Sequence, residues 1–159
     1  MMIVAWLGII VILALGFNGL LEQQHNPNQD VVGRVTGEGV REVVLEQNRG
    51  GHYVATGTIN GRSVDFLLDT GATQVAVPGD LAERMGLERG PRLSVQTANG
   101  VASAYRTRLE SLTLGPLTFE QVPAVITPGM RGNEVLLGMN LLRSLELLQR
   151  GRELTLRQY

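Results

Sequence analysis

The sequence predicts an all-β domain that follows an apolar N-terminal segment. Short strand-like runs recur beyond residue 50, with turn signals between them. Helical patterns within this part are confined to residues 79–86 and 140–145. No charged side chain occurs in residues 1–21. About 110 residues of mostly β structure are enough to bury one hydrophobic core, so we expect a single domain behind the apolar segment.

The N-terminal segment, residues 1–21, is long enough to cross a membrane. A helix of this length spans about 30 Å, the thickness of a bilayer core. A signal peptide usually has a basic start and a small-x-small cleavage site, whereas here the first basic residue is Arg34 and residues 16–21 contain no good site. A buried core helix would show amphipathic spacing, which is absent. The pattern favours an uncleaved anchor, with a signal peptide as the alternative.

Residues 22–49 are polar and glycine-rich, and they predict a tether between the anchor and the domain. A short strand at residues 43–45 would end it. Arg34 and Arg41 lie downstream of the anchor, so the positive-inside rule gives no support for export of the domain. The lack of cysteine fits either side of the membrane and excludes a structural disulfide.

Strands and helices of the domain can be assigned in order. Asp80 is expected to cap the helix over residues 79–86 and Gly86 to end it, and a second short helix is expected over 140–145. A hairpin is predicted over residues 147–156. The other predicted strands are 53–59, 63–68, 74–77, 93–97, 101–114, 117–126 and 135–137.

Asp69 is the candidate catalytic residue. It begins an Asp-Thr-Gly turn between two apolar strands, residues 64–68 and 75–78. The same tripeptide is also ordinary turn chemistry, but an acid between two buried strands is costly unless it is used or paired. Asp30 lies in the predicted tether, and Asp65 alternates with apolar residues and should point outward. Asp69 is therefore the one aspartate whose position suits catalysis.

These motifs resemble those of the retropepsin-like, or retroviral-type, aspartic proteases. The resemblance rests on the Asp69–Ala72 loop, the Asn60-Gly61 turn and the late apolar segment 136–142. The order and spacing are most similar to those of membrane-anchored, single-domain bacterial members. The resemblance covers about residues 50–157 and implies a single-lobe closed β-barrel with one or two short helices. It also implies an aspartic endopeptidase activity on peptide or protein substrates.

Roles in the catalytic loop follow from this resemblance. Asp69 would be the catalytic acid, and the Thr70 hydroxyl would tie the two active-site loops together across a dimer. Gly71 would let the backbone approach the substrate, and Ala72 and Thr73 would complete the loop.

The resemblance also implies a second supporting loop beneath the first, formed by Leu137, Gly138 and Asn140. Many relatives have Asp or Ser at the position of Asn140, which leaves one supporting hydrogen bond open.

A single Asp-Thr-Gly loop implies a homodimer. Peptide hydrolysis of this kind needs two carboxylates that face one water, one accepting its proton and the other, protonated, polarising the scissile carbonyl. A two-fold axis would place Asp69 opposite its symmetry mate. Two such carboxylates share one proton, so we expect optimal activity on the acid side of neutral.

A hairpin about 30 residues after Asp69 occupies the place where the family has its flap. Residues 93–102 alternate around an Asn-Gly pair, a strong hairpin signal. The predicted flap comprises Thr97, Ala98, Asn99 and Gly100, which would close over an extended peptide. A plain surface hairpin is the alternative.

Other chemistries find little support. The chain has no cysteine and no Gly-x-Ser-x-Gly elbow. Its two histidines, His25 and His52, lie in the tether and at a strand entrance, so neither a metal site nor a cofactor is expected. The net charge of −1, without a basic stripe, argues against nucleic-acid binding.

The leading hypothesis is therefore an aspartic endopeptidase with an anchor at 1–21, a tether at 22–49 and a protease domain at 50–159. Its location would be the bacterial inner membrane, and the family resemblance favours the periplasmic side for the domain, although the positive-inside rule does not. Two alternatives stay open. One is a catalytically silent dimerisation or peptide-binding module on the same fold. The other is a soluble secreted protein released from a signal peptide.

Overall fold

In a computed structural model, which describes residues 2–159, one long helix is followed by eleven strands and two short helices. The helices are α1 (Met2–His25), α2 (Gly79–Arg84) and α3 (Met139–Leu142). The strands are β1 (Gly33–Val35), β2 (Arg41–Glu46), β3 (Val54–Ile59), β4 (Arg62–Leu68), β5 (Val75–Pro78), β6 (Arg92–Thr97), β7 (Gly100–Leu114), β8 (Leu117–Thr127), β9 (Glu134–Leu137), β10 (Glu146–Arg150) and β11 (Glu153–Gln158). The all-β prediction is confirmed.

The larger sheet closes on itself. Its strand order is β3-β4-β9-β5-β8-β7-β6, and β3 also pairs with β7. The closing pairs are Thr58 with Thr113 and Ile59 with Leu112. Six strands thus form a ring, which agrees with the predicted barrel, and β6 extends beyond it because it pairs only with β7. Strands β4 and β9 are parallel neighbours in this ring, so their last residues, Leu68 and Leu137, lie side by side.

Alternating apolar residues fill the interior of this ring. In β4, Val64 and Phe66 point inward and are 6% and 0% exposed, whereas their neighbours on the strand are more exposed. The β7–β8 hairpin contributes Leu109, Leu112 and Ile126, all fully buried. Burial of each such side chain is worth about 1.5–3 kcal/mol. The core therefore holds the strands that lead to the candidate site in place.

A second sheet corrects the prediction of a flexible tether over residues 22–49. Its strand order is β1-β2-β11-β10, and β2 pairs antiparallel with β11 from Arg41 to Glu46. Val43 and Leu45 belong to the hydrophobic core and are 1% and 0% exposed. The tether was expected because residues 22–49 lack a run of apolar positions. Two apolar residues of β2 are enough to bury it, however, because β2 pairs with β11 from the other end of the chain.

Two buried asparagines join the end of α1 to the barrel. Asn28 donates from Nδ2 to the carbonyls of Glu46 and Val54, each at 2.8 Å. Its Oδ1 accepts from the backbone nitrogen of Glu46 at 2.7 Å. The side chain of Asn28 therefore connects the end of β2 to the beginning of β3 by hydrogen bonds. Asn26 Nδ2 donates to Thr56 Oγ1 at 2.9 Å. Asn26 and Asn28 are thus packed against the barrel.

Helix α1 is long and apolar enough to cross a membrane, and its membrane-length part is not buried against the domain. It extends four residues beyond the predicted anchor, through Glu22–His25. These properties fit either a membrane anchor or a signal sequence.

The two short helices differ in detail from their predictions. Asp80 does not cap α2: the N-cap residue is Pro78, without a side-chain cap hydrogen bond, and Asp80 lies in the first turn. There the positive end of the helix dipole stabilises its negative charge. Gly86 follows the helix with φ +69°, as its predicted stop requires. Helix α3 covers Met139–Leu142, a shorter span than the predicted 140–145.

Candidate active site

Asp69 is the first residue after the end of β4. Strand β4 ends at Leu68 and β5 begins at Val75, so the predicted catalytic loop spans the gap between them. The Asp69 side chain is half-buried, and its Oδ1 accepts a hydrogen bond from the backbone nitrogen of Gly71 at 2.8 Å. This local bond holds one carboxylate oxygen in place. The other oxygen, Oδ2, makes no hydrogen bond within the described residues 2–159.

The tip of this loop faces solvent. Thr70, Gly71 and Thr73 are exposed, whereas Ala72 is half-buried. Ala72 donates its backbone N–H to the Asp69 carbonyl at 3.1 Å, which closes a tight turn. A single chain therefore presents the carboxylate at an open surface rather than in an enclosed cleft.

The second predicted loop lies directly against the first. Three backbone hydrogen bonds join them, from Asp69 N to Leu137 O at 3.1 Å, from Met139 N to Ala72 O at 2.8 Å and from Asn140 N to Thr73 O at 3.0 Å. The register between β4 and β9 brings them together, because Leu68 and Leu137 are parallel partners at the ends of both strands. The structure thus places Leu137, Gly138 and Asn140 next to Asp69–Thr73.

Gly138 allows this close approach. A Cβ atom at this position would lie 2.4 Å from the carbonyl oxygen of Gln74 and 2.7 Å from its nitrogen. Real Cβ atoms do not approach backbone that closely, so any side chain would push the two loops apart. The backbone at Gly138 has φ −90°, which is open to other residues. Glycine is required here because there is no room for a side chain, and not because of the backbone conformation.

The amide of Asn140 makes the supporting hydrogen bond that the sequence left open. Its Oδ1 accepts from the backbone nitrogen of Val75 at 3.0 Å. Its Nδ2 donates to the carbonyl of Pro123 at 2.8 Å. An ionised aspartate at this position would accept the first bond but could not donate the second. Asparagine therefore makes both bonds, whereas an ionised aspartate would make only one.

The predicted flap forms the hairpin between β6 and β7. Thr97 pairs with Gly100, and Ala98 and Asn99 make the two-residue connection. Gly100 has φ +102°, a backbone conformation that favours glycine. Thr97 Oγ1 donates to the Gly100 carbonyl at 2.7 Å and stiffens the tip. Because β6 lies outside the closed ring, the hairpin can move without breaking it.

A polar cluster at the middle of β4 and the beginning of β9 was missed from the sequence. Asp65 was expected to point into solvent, but it is half-buried and accepts from Thr56 Oγ1 at 2.6 Å and from Asn26 Nδ2 at 3.1 Å. Its register partner Glu134 lies 2.8 Å from His25 Nε2. The cluster connects α1 to the two strands that end at the candidate catalytic loops. The closely spaced Asn26 and Asn28 after the apolar segment were the available signal.

Sequence comparisons identify a protein family and relatives of this chain. Residues 55–144 match the family described as gag-polyprotein putative aspartyl protease. An uncharacterized protein in the cobV 5′ region of Sinorhizobium sp is 33% identical over 167 residues, covering 98% of this chain and 72% of that protein. An uncharacterized protein of Rickettsia prowazekii is 25% identical over 124 residues, covering 76% of this chain and 52% of that protein.

A solved structure shows the same fold. The crystal structure of a retropepsin-like aspartic protease from Rickettsia conorii aligns with a TM-score of 0.61 and 22% identity, over 81% of this chain and 95% of that one. The family match covers more than half of the sequence, including the Asp69 loop and the Gly138 loop. This chain belongs to the retropepsin-like aspartic proteases.

Proposed function

We propose that this protein is a membrane-anchored aspartic endopeptidase whose active site is shared by two copies of the chain. The observation that carries the proposal is the Asp69 loop. One carboxylate oxygen is held by the backbone nitrogen of Gly71 at 2.8 Å, and the loop tip is exposed at the open end of a single barrel. A second copy would cover this tip and supply the second carboxylate.

The chemistry follows from two carboxylates that share one proton. The ionised carboxylate accepts a proton from a water between them, and the protonated one donates a hydrogen bond to the carbonyl oxygen of the scissile peptide. Attack of the water then forms a tetrahedral intermediate. Proton transfer to the leaving nitrogen completes the cleavage. Because both protonation states are needed at once, one chain with one Asp69 cannot carry out this reaction.

Thr70, Gly71 and the flap have roles consistent with their placement. The exposed Thr70 hydroxyl makes no hydrogen bond within residues 2–159, so it is free to bond to the matching loop of a second copy. The exposed Gly71 backbone leaves room for a substrate main chain. The hairpin at Thr97–Gly100 would close over an extended peptide and exclude water from it.

The proposed location is the bacterial inner membrane, with residues 1–21 as the anchor and the domain on the periplasmic side. The length and exposure of α1 support an anchor, and the relatives named above are bacterial. Retention of the protein in membranes after alkaline carbonate extraction, with an intact N-terminus by sequencing, tests the anchor. Release into the soluble fraction after cleavage near residue 21 would show a signal peptide instead.

A peptide-library digest tests the activity. Full-length protein in detergent is incubated with the library from acidic to neutral pH, alongside Asp69→Asn and Asp80→Asn variants. Asp80 is exposed in the first turn of α2 and serves as a matched control for the same chemical change. We expect cleavage by the wild type and by Asp80→Asn, and none by Asp69→Asn. Peptide retention without cleavage by all three proteins would indicate the silent binding module.

A further inference from the structure

The last turn of α1 is bound to the domain on two sides. The carbonyl of His25 accepts a hydrogen bond from Asn48 Nδ2 at 2.9 Å, and the His25 imidazole lies 2.8 Å from Glu134 Oε1. The backbone nitrogen of Asn26 donates to the carbonyl of Glu22 at 2.8 Å, so the helical hydrogen bonds continue up to the residue that enters the domain. Helix α1 therefore runs directly into the domain.

The residues that receive this turn form one row across three neighbouring strands. Thr56 of β3 is the register partner of Asp65 on β4, and Asp65 is the register partner of Glu134 on β9. Asn26 is only 3% exposed and donates from Nδ2 to Thr56 Oγ1 at 2.9 Å and to Asp65 Oδ1 at 3.1 Å. A buried amide that moved away from this row would lose both hydrogen bonds. The junction between α1 and the row is therefore rigid.

Two of these strands lead to the candidate catalytic loop. Strand β4 runs from Asp65 to Leu68, and β9 runs parallel to it from Glu134 to Leu137. Three residue steps along a strand measure about 10 Å. Asp69 follows Leu68, and its backbone nitrogen donates to the carbonyl of Leu137 at 3.1 Å. The catalytic loop is thus held about 10 Å, measured along the strands, from the row that receives α1.

This attachment determines the height of Asp69 above a bilayer that contains residues 1–21. A flexible tether over residues 22–49 would have a root-mean-square length of about 30 Å and would let the loop move over a range of heights. In the structure, residues 22–25 continue α1 and add only about 6 Å of helix before the junction. Helix rise and strand length, and not a fluctuating chain, therefore determine the height.

We propose that the junction of α1 with the row Thr56, Asp65 and Glu134 is a rigid spacer that determines where this protease cuts. Its substrates are proteins anchored in the same membrane, and it cleaves them in extended segments at a set distance from the bilayer. Peptide bonds nearer to the bilayer or farther from it do not reach Asp69, whatever their sequence. This proposal rests on the proposed function, in that it requires both the anchor and the peptide cleavage.

A helical insertion tests the spacer. Seven residues of alanine, glutamate and lysine, placed between Leu21 and Glu22, lengthen α1 by about 10 Å and about two turns, so the domain keeps nearly the same orientation. Seven residues of glycine and serine at the same place are the matched control, because they add the same number of residues as a flexible link. Neither insertion changes the apolar segment or the junction.

Energy transfer measures the height without any need for activity. The chain has no native cysteine, so a dye on Asp80→Cys, in the exposed first turn of α2, is a unique label. Time-resolved transfer to acceptor lipids is recorded for full-length protein in vesicles of phosphatidylethanolamine and phosphatidylglycerol. We expect the helical insertion to raise the dye by about 10 Å and the flexible insertion to broaden the distribution of distances. An unchanged height after the helical insertion would overturn the spacer.

A series of substrates tests the selection of the cut site. Each substrate is a single-pass protein in the same vesicles, with one cleavable sequence placed after a membrane helix that is extended by no residues or by one, two or three seven-residue helical repeats. We expect the wild type to cleave one length about tenfold faster than its neighbours, because the other sites cannot reach the active site. The helical insertion should shift this best length by one repeat, and the flexible insertion should remove the preference.

The same cleavable sequence as a soluble peptide separates the possible failures. We expect the wild type and both insertion variants to cleave this peptide at equal rates. Cleavage of the soluble peptide together with equal cleavage of all substrate lengths would overturn the spacer and leave the protease activity intact. No cleavage of the soluble peptide by the wild type would overturn the proposed function, and the selection of a cut site with it.

Discussion

The amide oxygen of Asn140 accepts a hydrogen bond from the backbone nitrogen of Val75 at 3.0 Å. Val75 is the first residue of β5, immediately beyond the candidate catalytic loop, and Asn140 lies in the loop that supports it. The same amide reaches β8 through Pro123. One side chain thus bonds to β5 and to its neighbour β8 in the barrel, and its substitution should affect loop and barrel together.

Replacing Asn140 by Asp should destabilise the protein. The bond from Val75 is kept, but the donor to the Pro123 carbonyl is lost, and the new charge faces that oxygen. We expect a loss of about 1–3 kcal/mol in the free energy of unfolding, measured by denaturant titration. Asn133→Asp is the matched control, because Asn133 uses only its oxygen, as acceptor from Arg84 at 2.7 Å. Equal stability of the two variants would show that the Pro123 bond contributes nothing.

Gly138→Ala should separate the two loops. The added methyl group would overlap the Gln74 backbone, at 2.4 Å from its carbonyl oxygen. Overpacking of this kind costs about 1–3 kcal/mol, and the displaced loop should also lower peptide cleavage. Gly129→Ala is the control, since a methyl group there would meet nothing within 4 Å. Unchanged melting temperature and activity in Gly138→Ala would disprove the close-packing argument.

Mixing wild-type protein with Asp69→Asn tests the shared active site. When subunits exchange freely, a ninefold excess of the variant leaves roughly one wild-type subunit in ten paired with another, so activity per wild-type chain should fall about tenfold. Both full-length proteins are combined in common detergent micelles, and exchange is followed with fluorescent labels. Asp80→Asn in the same excess serves as the control. An unchanged rate despite demonstrated exchange would place the second carboxylate within the same chain.

Substitution of Gly100 should affect turnover more than stability. Any other residue is disfavoured at φ +102°, so Gly100→Ala should distort the predicted flap. Gly61→Ala is the matched control, because Gly61 has φ +77° in the β3–β4 turn and, like Gly100, has open space around it. Both variants should lose about 1–2 kcal/mol of stability, whereas only Gly100→Ala should lower kcat/KM. A similar kcat/KM in both variants would show that the hairpin has only a structural role.

The ion pairs that Glu42 and Glu146 make in the second sheet should make stability depend on acid pH. The hydrogen bond from Arg157 lowers the pKa of the Glu42 carboxyl below its usual value of 4.5, and Arg34 adds to this. For Glu146, the hydrogen bond from the Tyr159 hydroxyl is the main cause of a lowered pKa. A carboxyl with a lowered folded-state pKa stabilises the fold above its unfolded value, and this contribution disappears as pH falls through the folded value.

We therefore expect the wild type to be more stable than Glu42→Gln at neutral pH, with the difference shrinking below pH 4.5. Melting temperatures of the two proteins from neutral to acid pH measure this. A constant difference over the whole range would show that the Glu42 carboxylate adds no pH-dependent stability.

Much of the barrel could be predicted because its signals are local. Alternation in residues 63–68 and the turn at Asn60-Gly61 define β4 and its hairpin without reference to the rest of the chain. Strand β2 escaped prediction as part of the domain because its burial depends on β11, more than a hundred residues later. Asp65 was expected in solvent for a similar reason, since its partners Asn26 and Thr56 lie on other segments. Catalytic roles for Asp69, Thr70 and the flap stay predictions.

The sequence by itself determined the catalytic candidate. A carboxylate on a tight turn between apolar strands, present once in the chain, depends on neighbouring residues only, and it already implies a second copy. Tertiary structure alone decided how that loop is supported and which edges remain unpaired. The bonds of Asn140, the close approach of Gly138 to Gln74 and the ion pair between Glu42 and Arg157 all join residues far apart in the chain. Such contacts arise only when the two sheets assemble, because assembly determines which strands become neighbours.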